Sequence, residues 1–364
     1  MITVGVLGGG QLAKMLALAA APLGISILCY DPAEEACAKQ IAPVITASYS
    51  DKNALKAFAD SVDVLTFETE NISPEIFSLL EGHKHLFYPN EEALLISQDR
   101  YLEKECFHKE GVKTASYEKI DSFEDLERGV ARLNMPCILK TRRGGYDGKG
   151  HYVLRSSEDL LPAWNALKGA PAILESFVPF EKEVSMIGVR SQEGEIRIYP
   201  LVENQHEKGI LRESFAPFEH ESLKQEAKAI IEKILLRLNY VGVLTIEFFL
   251  QEGTLIANEM APRVHNTGHW TMEGAVTSQF ENHLRAITGF PLGDPSPRGY
   301  SWMVNIIGEE LSQKELMMVN GLHYHHYGKL PRPGRKLGHF TCNASRLEDL
   351  KRMQKEVLEI NSRF

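Results

Sequence analysis

Residues 136–140 (PCILK) read as a strand that runs into the loop TRRGGYDGKG (141–150), and strand character resumes at 151–154. Four of the ten loop residues are glycine and three are cationic. A Walker-type phosphate loop needs GxxxxGK[ST] opening into a helix, and this segment has neither the spacing nor the helix. The pattern predicts a hairpin whose tip offers backbone amides, Arg142, Arg143 and Lys149 to an anion such as a triphosphate. Lys140 is expected beneath this lid as a fixed cation. A plain surface hairpin is the alternative reading of the same residues.

The chain on either side divides into three expected parts. In residues 1–95, apolar strands at 2–7, 25–30 and 62–67 alternate with helices at 11–21 and 51–59, which predicts a Rossmann-like parallel sheet. Residues 96–295 read as mixed α+β and carry the glycine-rich loop. They begin with a helix over 97–111, capped by Ser97 or Asp99 and stopped by Gly111. Two hairpins follow, one around Glu193-Gly194 and one around Glu252-Gly253, with an amphipathic helix at 225–238 between them. The turn-rich GDPSPRG (293–299) reads as a linker to a small β-rich part, 296–364.

Composition narrows the function classes. With 43% hydrophobic and 24% charged residues, a chain of 364 can bury a large core unaided. A net charge of −9 has the wrong sign for a dedicated nucleic-acid binder. Five widely spaced cysteines without a CxxC fit a reducing cytoplasm. The apolar N-terminus lacks a leading positive charge and is broken by three glycines, so no signal peptide is expected. No run of about 18 apolar residues exists, so no transmembrane helix and no membrane partner are expected.

Four further groups can carry chemistry. Gly8-Gly9-Gly10-Gln11-Leu12-Ala13 fits GxGxxA between a strand and a helix, with Asp31 ending the next strand; alone it matches a dinucleotide site or a bare tight turn. Glu247 and Glu259 lie on the two arms of the second hairpin. A turn centred on Gly253 opposes them, whereas one centred between Glu252 and Gly253 sets Glu247 against Asn258. Either way two acids on an apolar face repel unless a hard divalent cation lies between them. Pro262-Arg263-Val264-His265-Asn266-Thr267-Gly268-His269-Trp270 crowds polar groups into one loop. Finally, residues 316–347 hold Lys329, Arg332, Arg335, Lys336 and Arg346 but no acid, which suits a phosphate. His323 and His325 share a face there, which could suit a metal, but ordinary tyrosine/histidine packing accounts for them better.

GGGQLAKM, TFETEN, SQDR, ILKTRRGGYDGKG, ILESFVPFEKEVS, ENQH, NEMAPRVHNTGHWT and YGKLPRPGRKLGH occur in this order from residue 8 to 339. The set resembles the ATP-grasp superfamily and, within it, the N5-carboxyaminoimidazole ribonucleotide synthetases of purine biosynthesis. The resemblance implies an ATP-grasp architecture: a pre-ATP-grasp domain, a two-lobed ATP-grasp region with a flap at 141–151, and a small C-terminal domain. It implies ligation of bicarbonate to aminoimidazole ribonucleotide with ATP cleavage, through carboxyphosphate. It also implies Mg²⁺, or Mn²⁺ in its place, and a cytoplasmic homodimer.

Site roles follow from the same resemblance. Arg100 and Lys140 would meet ATP phosphates under the flap Gly145, Tyr146, Asp147, Gly148, Lys149, Gly150 and His151. Glu175, Ser176, Phe177 and Val178 would present backbone to adenine, and Glu183 would take the ribose hydroxyls. His206 and Asn258 would line the nucleotide site, and Glu247 and Glu259 would hold the metal. Gly10, Gln11, Leu12, Glu68, Tyr146, Asp147, Arg263, His265, Lys329 and Arg335 would surround the ribonucleotide and bicarbonate, with Asp147 or His265 as base. Three positions depart from the family pattern: Ala13-Lys14 stands for Gly-Arg after the turn, and His151 stands for Gln. A formate-using transformylase, a biotin carboxylase, a nicotinamide oxidoreductase and a non-catalytic ATP-binding regulator are the rival expectations.

Overall fold

A computed structural model describes residues 1–144 and 150–361. The N-terminal part is a parallel sheet in the order Val44–Ile45, Ser26–Tyr30, Thr3–Leu7, Val64–Phe67. Alternate residues of a strand face opposite ways, and here both faces are covered. Val4 and Val6 pack with Leu12 and Leu16 of the helix Gln11–Ala20, while Leu7 and Leu65 pack with Phe58 of the helix Lys52–Asp60. Asp51 caps that second helix by accepting from the Asn53 and Ala54 amides.

A four-stranded antiparallel sheet carries the glycine-rich segment, in the order Tyr117–Ile120, Ala172–Ser176, Cys137–Thr141, His151–Leu154. Lys140 lies directly opposite His151, so the hairpin predicted from the flanking strands forms. Residues 145–149 of its tip lie outside the described residues. The helix Arg100–Lys109 is capped by Asp99, which accepts from the Tyr101 and Leu102 amides; Ser97 instead closes the preceding helix, Glu91–Ser97.

The rest of the strands form one nine-stranded sheet. It runs from the hairpin Thr254–Ala261/Gly242–Gln251 through Lys182–Arg190, Val202–Glu207 and Ile210–Ala216. There it continues into the C-terminal strands Tyr300–Ile307, Lys336–Ala344 and Leu322–His326. The pairing of Ile210–Ala216 with Tyr300–Ile307 joins segments far apart in sequence, which local periodicity does not encode. Among the described residues no helix is long and apolar enough to cross a membrane.

Candidate active site

The three sheets meet around a cavity of about 510 Å³. Gln11, Leu12 and Glu70 wall it from the N-terminal part, Lys140 and His151 from the small sheet, and Glu183, His206, Glu247, Asn258 and Glu259 from the large one. The loop after the hairpin adds Arg263, His265 and Asn266, the helix Arg100–Lys109 adds Arg100 and Glu103, and the last sheet strands add Lys336.

The hairpin reconciles the two registers that the sequence left open. Glu252 and Gly253 take positive φ, 49° and 71°, and make a two-residue turn that sets Gln251 opposite Thr254. The register then shifts between Glu247 and Phe248, so that Phe248 faces Ala257 and Glu247 faces Glu259. Asn258 is the extra residue of a β-bulge. A regular strand sends neighbours to opposite faces, but a bulge sets two residues against one. Asn258 and Glu259 therefore both line the cavity. The bulge is held from behind by two buried charged residues of the helix Arg100–Lys109. The Lys104 ammonium donates to the carbonyls of Asn258 (2.7 Å) and Ala257 (3.3 Å), and Glu103 Oε1 accepts from the Met260 amide (2.6 Å).

Burial raises the Glu247 carboxyl to about 7; the facing Glu259 adds to the shift and His206 opposes it. Glu103 is likewise raised by burial, to about 8. Glu175 goes the other way. Burial disfavours its charge, but Lys104 (3.8 Å) and Lys140 (2.9 Å) both pair with Oε2 and hold its pKa down at about 2. His206 is raised despite burial because its Nδ1 bonds Glu183 Oε2 at 2.6 Å. His151 is lowered to about 4 by burial and by neighbouring Lys140 and Arg100; its Nε2 lies 3.3 Å from an Arg100 nitrogen. Arg263 is gripped by Glu70 through two contacts, Nη2–Oε1 at 2.9 Å and Nε–Oε2. His265 is part-buried, and desolvation together with neighbouring Arg263 holds its pKa well below the usual histidine value, so the ring is neutral. The Thr267 amide donates to its Nδ1 at 3.4 Å, which leaves the ring proton on Nε2, 3.7 Å from Glu247.

The chain resembles known proteins along its whole length. Residues 1–98 match the ribonucleotide synthetase pre-ATP-grasp domain, 105–280 the ATP-grasp domain, and 301–353 the phosphoribosylaminoimidazole carboxylase C-terminal domain. The N5-carboxyaminoimidazole ribonucleotide synthase of Pseudomonas aeruginosa is 46% identical over 359 residues, covering 99% of this chain and 98% of that protein. The chain belongs to the N5-carboxyaminoimidazole ribonucleotide synthase family. The Bacillus subtilis synthase is 40% identical over 93% of this chain and 90% of its own. The synthetase structure from Thermus thermophilus superposes with a TM-score of 0.93 at 48% identity, over 98% of each chain. The Aspergillus clavatus synthase, solved with ADP and 5-aminoimidazole ribonucleotide, gives 0.91 at 29% identity, over 100% of this chain and 99% of that one.

Against this synthase frame, the cavity gathers Gln11, Leu12, Arg100, Lys140, His151, Glu183, His206, Glu247, Asn258, Glu259, Arg263 and His265 of the residues named from the sequence. Gly145, Tyr146, Asp147, Gly148 and Lys149 lie outside the described residues. Gly150 takes φ +73° and its carbonyl accepts from Thr141 N. Ser176, Phe177 and Val178 do not wall the cavity; the amides of Ser176 and Phe177 donate to the carbonyls of Ser116 and Pro136. Arg142 is turned away, clasping Asp99 through Nε (2.9 Å) and Nη2 (2.6 Å).

In the glycine turn the backbone amides are already bonded within the chain. Glu68 accepts from the Gly10 (2.6 Å) and Ala13 (2.8 Å) amides, and Asp31 accepts from Gly9 N (2.6 Å). Carboxylates thus fill the helix start that a dinucleotide pyrophosphate would need, which removes the physical basis for the nicotinamide alternative. Glu70, two residues on in TFETEN, reaches the cavity instead. Arg335 donates to the Leu330 carbonyl and does not wall the cavity, whereas its neighbour Lys336 does; Lys329 donates to Gln11 Oε1 at 2.5 Å. Sequence reasoning also missed Glu103 and the stacked pair Phe180–Phe249 (centroids 4.6 Å apart). Phe249 was accessible to it, because it shares a strand face with Glu247.

Proposed function

We propose that this cavity ligates bicarbonate to the exocyclic amine of 5-aminoimidazole ribonucleotide at the expense of ATP. The observation that carries the reading is the opposed pair Glu247–Glu259 facing the same cavity as Lys140, Arg100 and Arg263. Among the described residues no group of three or more His, Cys, Asp or Glu is placed to hold a metal by itself. Two hard carboxylates, one pushed toward protonation by desolvation and further by the other, fit a divalent cation such as Mg²⁺, which Glu247 and Glu259 would help to hold. When bound, Mg²⁺ would neutralise charge on the transferring phosphoryl group.

Bicarbonate is a poor electrophile. Transfer of the γ-phosphoryl group to a bicarbonate oxygen makes carboxyphosphate, and attack by the amine on its carbon expels phosphate. Lys140 and Arg100 orient the polyphosphate, and Glu175 keeps Lys140 in place. Phe180 and Phe249 offer a flat apolar surface to a base. Arg263, held in a fixed plane by Glu70, presents its remaining N–H groups to bicarbonate. The Nε2–H of His265 makes that ring a donor, which leaves Asp147 as our candidate to take the amine proton. Lys329 and Lys336 face the ribonucleotide phosphate. Flap closure over this set would exclude water from the mixed anhydride.

An ADP-release assay with each co-substrate omitted in turn tests the reading. ADP should form only with ATP, bicarbonate and the ribonucleotide together. Release that ignores the ribonucleotide, or that requires formate, would transfer the chain to another ATP-grasp reaction.

A further inference from the structure

The loop that carries His265 and Asn266 is fixed from two sides. The central region holds His265 and Thr267. Gln279 bonds both backbone groups of His265 (2.9 and 2.6 Å), and the Thr267 hydroxyl bonds Ser185 and Asn204. The side chains of Asn266 and His269 meet the C-terminal strands instead. Asn266 and Asn305 form a reciprocal amide pair, with Asn266 Nδ2 donating to Asn305 Oδ1 (3.0 Å) and Asn305 Nδ2 donating to Asn266 Oδ1 (2.8 Å). Asn305 Nδ2 also donates to the Leu211 carbonyl at 2.9 Å. A carbonyl can only accept, so this third bond fixes which way the Asn305 amide faces. It thereby fixes which end of the Asn266 amide faces the cavity.

Directly across the strand from Asn305 is His339, fully buried. Its ring packs on His269 (centroids 4.7 Å) and its Nδ1 meets the Tyr327 hydroxyl at 2.7 Å. Tyr327 lies two residues from Lys329, whose ammonium sits 5.6 Å from the Tyr327 ring centroid. Asn305, His339 and Tyr327 do not themselves wall the cavity.

We propose that Asn305 and His339 are positioning residues: they hold Asn266 and His269 so that the loop bearing His265 is set for the carboxylation step, and Tyr327 links this setting to the cationic end of the site. This rests on the reaction proposed above and adds residues that act on it only through others.

Steady-state ADP release with all three substrates, on Asn305→Leu, Asn266→Ala and the double variant, tests it. Each single change should lower kcat about 10-fold while the KM for ATP stays within about twofold. The double variant should be no slower than Asn266→Ala, because residues acting through one contact are not additive. Multiplying losses, an unchanged kcat, or a matching rise in the KM for ATP would each overturn the proposal. Tyr327→Phe removes one hydroxyl and keeps the ring, so it supplies the same test should Asn305→Leu fail to fold. It should lower kcat about threefold with the KM for ATP unchanged, and no effect on kcat would overturn the link. A wild-type chain that releases no ADP with the three substrates would sink the reaction itself; a defect or its absence confined to the variants speaks only to the positioning.

Discussion

Glu175 is a buried carboxylate behind the cavity wall, Glu247 a part-buried one lining the cavity, and their acidities part by several units. Glu175 shares Oε2 with two lysines and sits near 2; Glu247 faces another glutamate and sits near 7. Burial alone raises both. The difference is the counter-ion. Around Glu175 the chain supplies its own cations, and the cluster fixes Lys140 and the bulged strand in place. Glu247 instead faces Glu259, and on the function proposed above a bound cation completes that pair. A buried acid with its own lysines is therefore part of the frame, and on the function proposed above an acid facing a second acid is where a cation would be held.

The contrast can be broken most decisively at Glu259. Glu259→Gln should cut ATP-dependent turnover about 10³-fold while leaving thermal stability unchanged or raised, since like-charge repulsion is relieved; near-normal kinetics would end the metal assignment. Lys104→Met should act in the opposite sense, lowering unfolding free energy by about 3–5 kcal/mol in urea titration, because Glu175 loses a partner and the bulge carbonyls lose their donor.

Acid sensitivity sharpens the same point. The folded pKa of Glu175 lies below its ordinary value of 4.5, so its stabilisation is full above about pH 4.5 and lost as pH falls toward 2. Glu175→Gln should remove about 2 kcal/mol of that pH-dependent loss, measured by comparing unfolding midpoints of the two proteins at pH 5 and pH 3. Smaller still, Lys329→Ala should raise the KM for ribonucleotide about 10-fold and that for ATP less, with Arg335→Ala weaker because its guanidinium is turned to Leu330. Equal effects of Lys329→Ala on both constants would move the ribonucleotide elsewhere.

Much of the frame was legible before any coordinates. Glycine and charge density between two strands gave the hairpin at 141–151, and alternating strands and helices gave the parallel N-terminal sheet. The acid pair was legible as chemistry but not as register, because a bulge leaves no mark in strand periodicity. Glu68 and Glu70 could not be ranked from TFETEN. Which one turns back onto the helix start depends on where the glycine turn presents its amides. Lys336 could not be told from Arg335 within the basic run: Arg335 precedes the strand Lys336–Ala344, and only the pairing of that strand with Tyr300–Ile307 brings Lys336 to the cavity. The Asn266–Asn305 pair joins two distant asparagines, and nothing local in either segment announces it.

The skipped residue in the hairpin has a last implication for how such a site could be lost. Deleting Asn258 would leave Phe248 against Ala257 and Glu247 against Glu259. Every rung would survive, and the ribbon would be straighter. What would go is an amide on the ligand side and the carbonyl that Lys104 grasps. A shorter chain here would make a tidier sheet and a poorer catalyst.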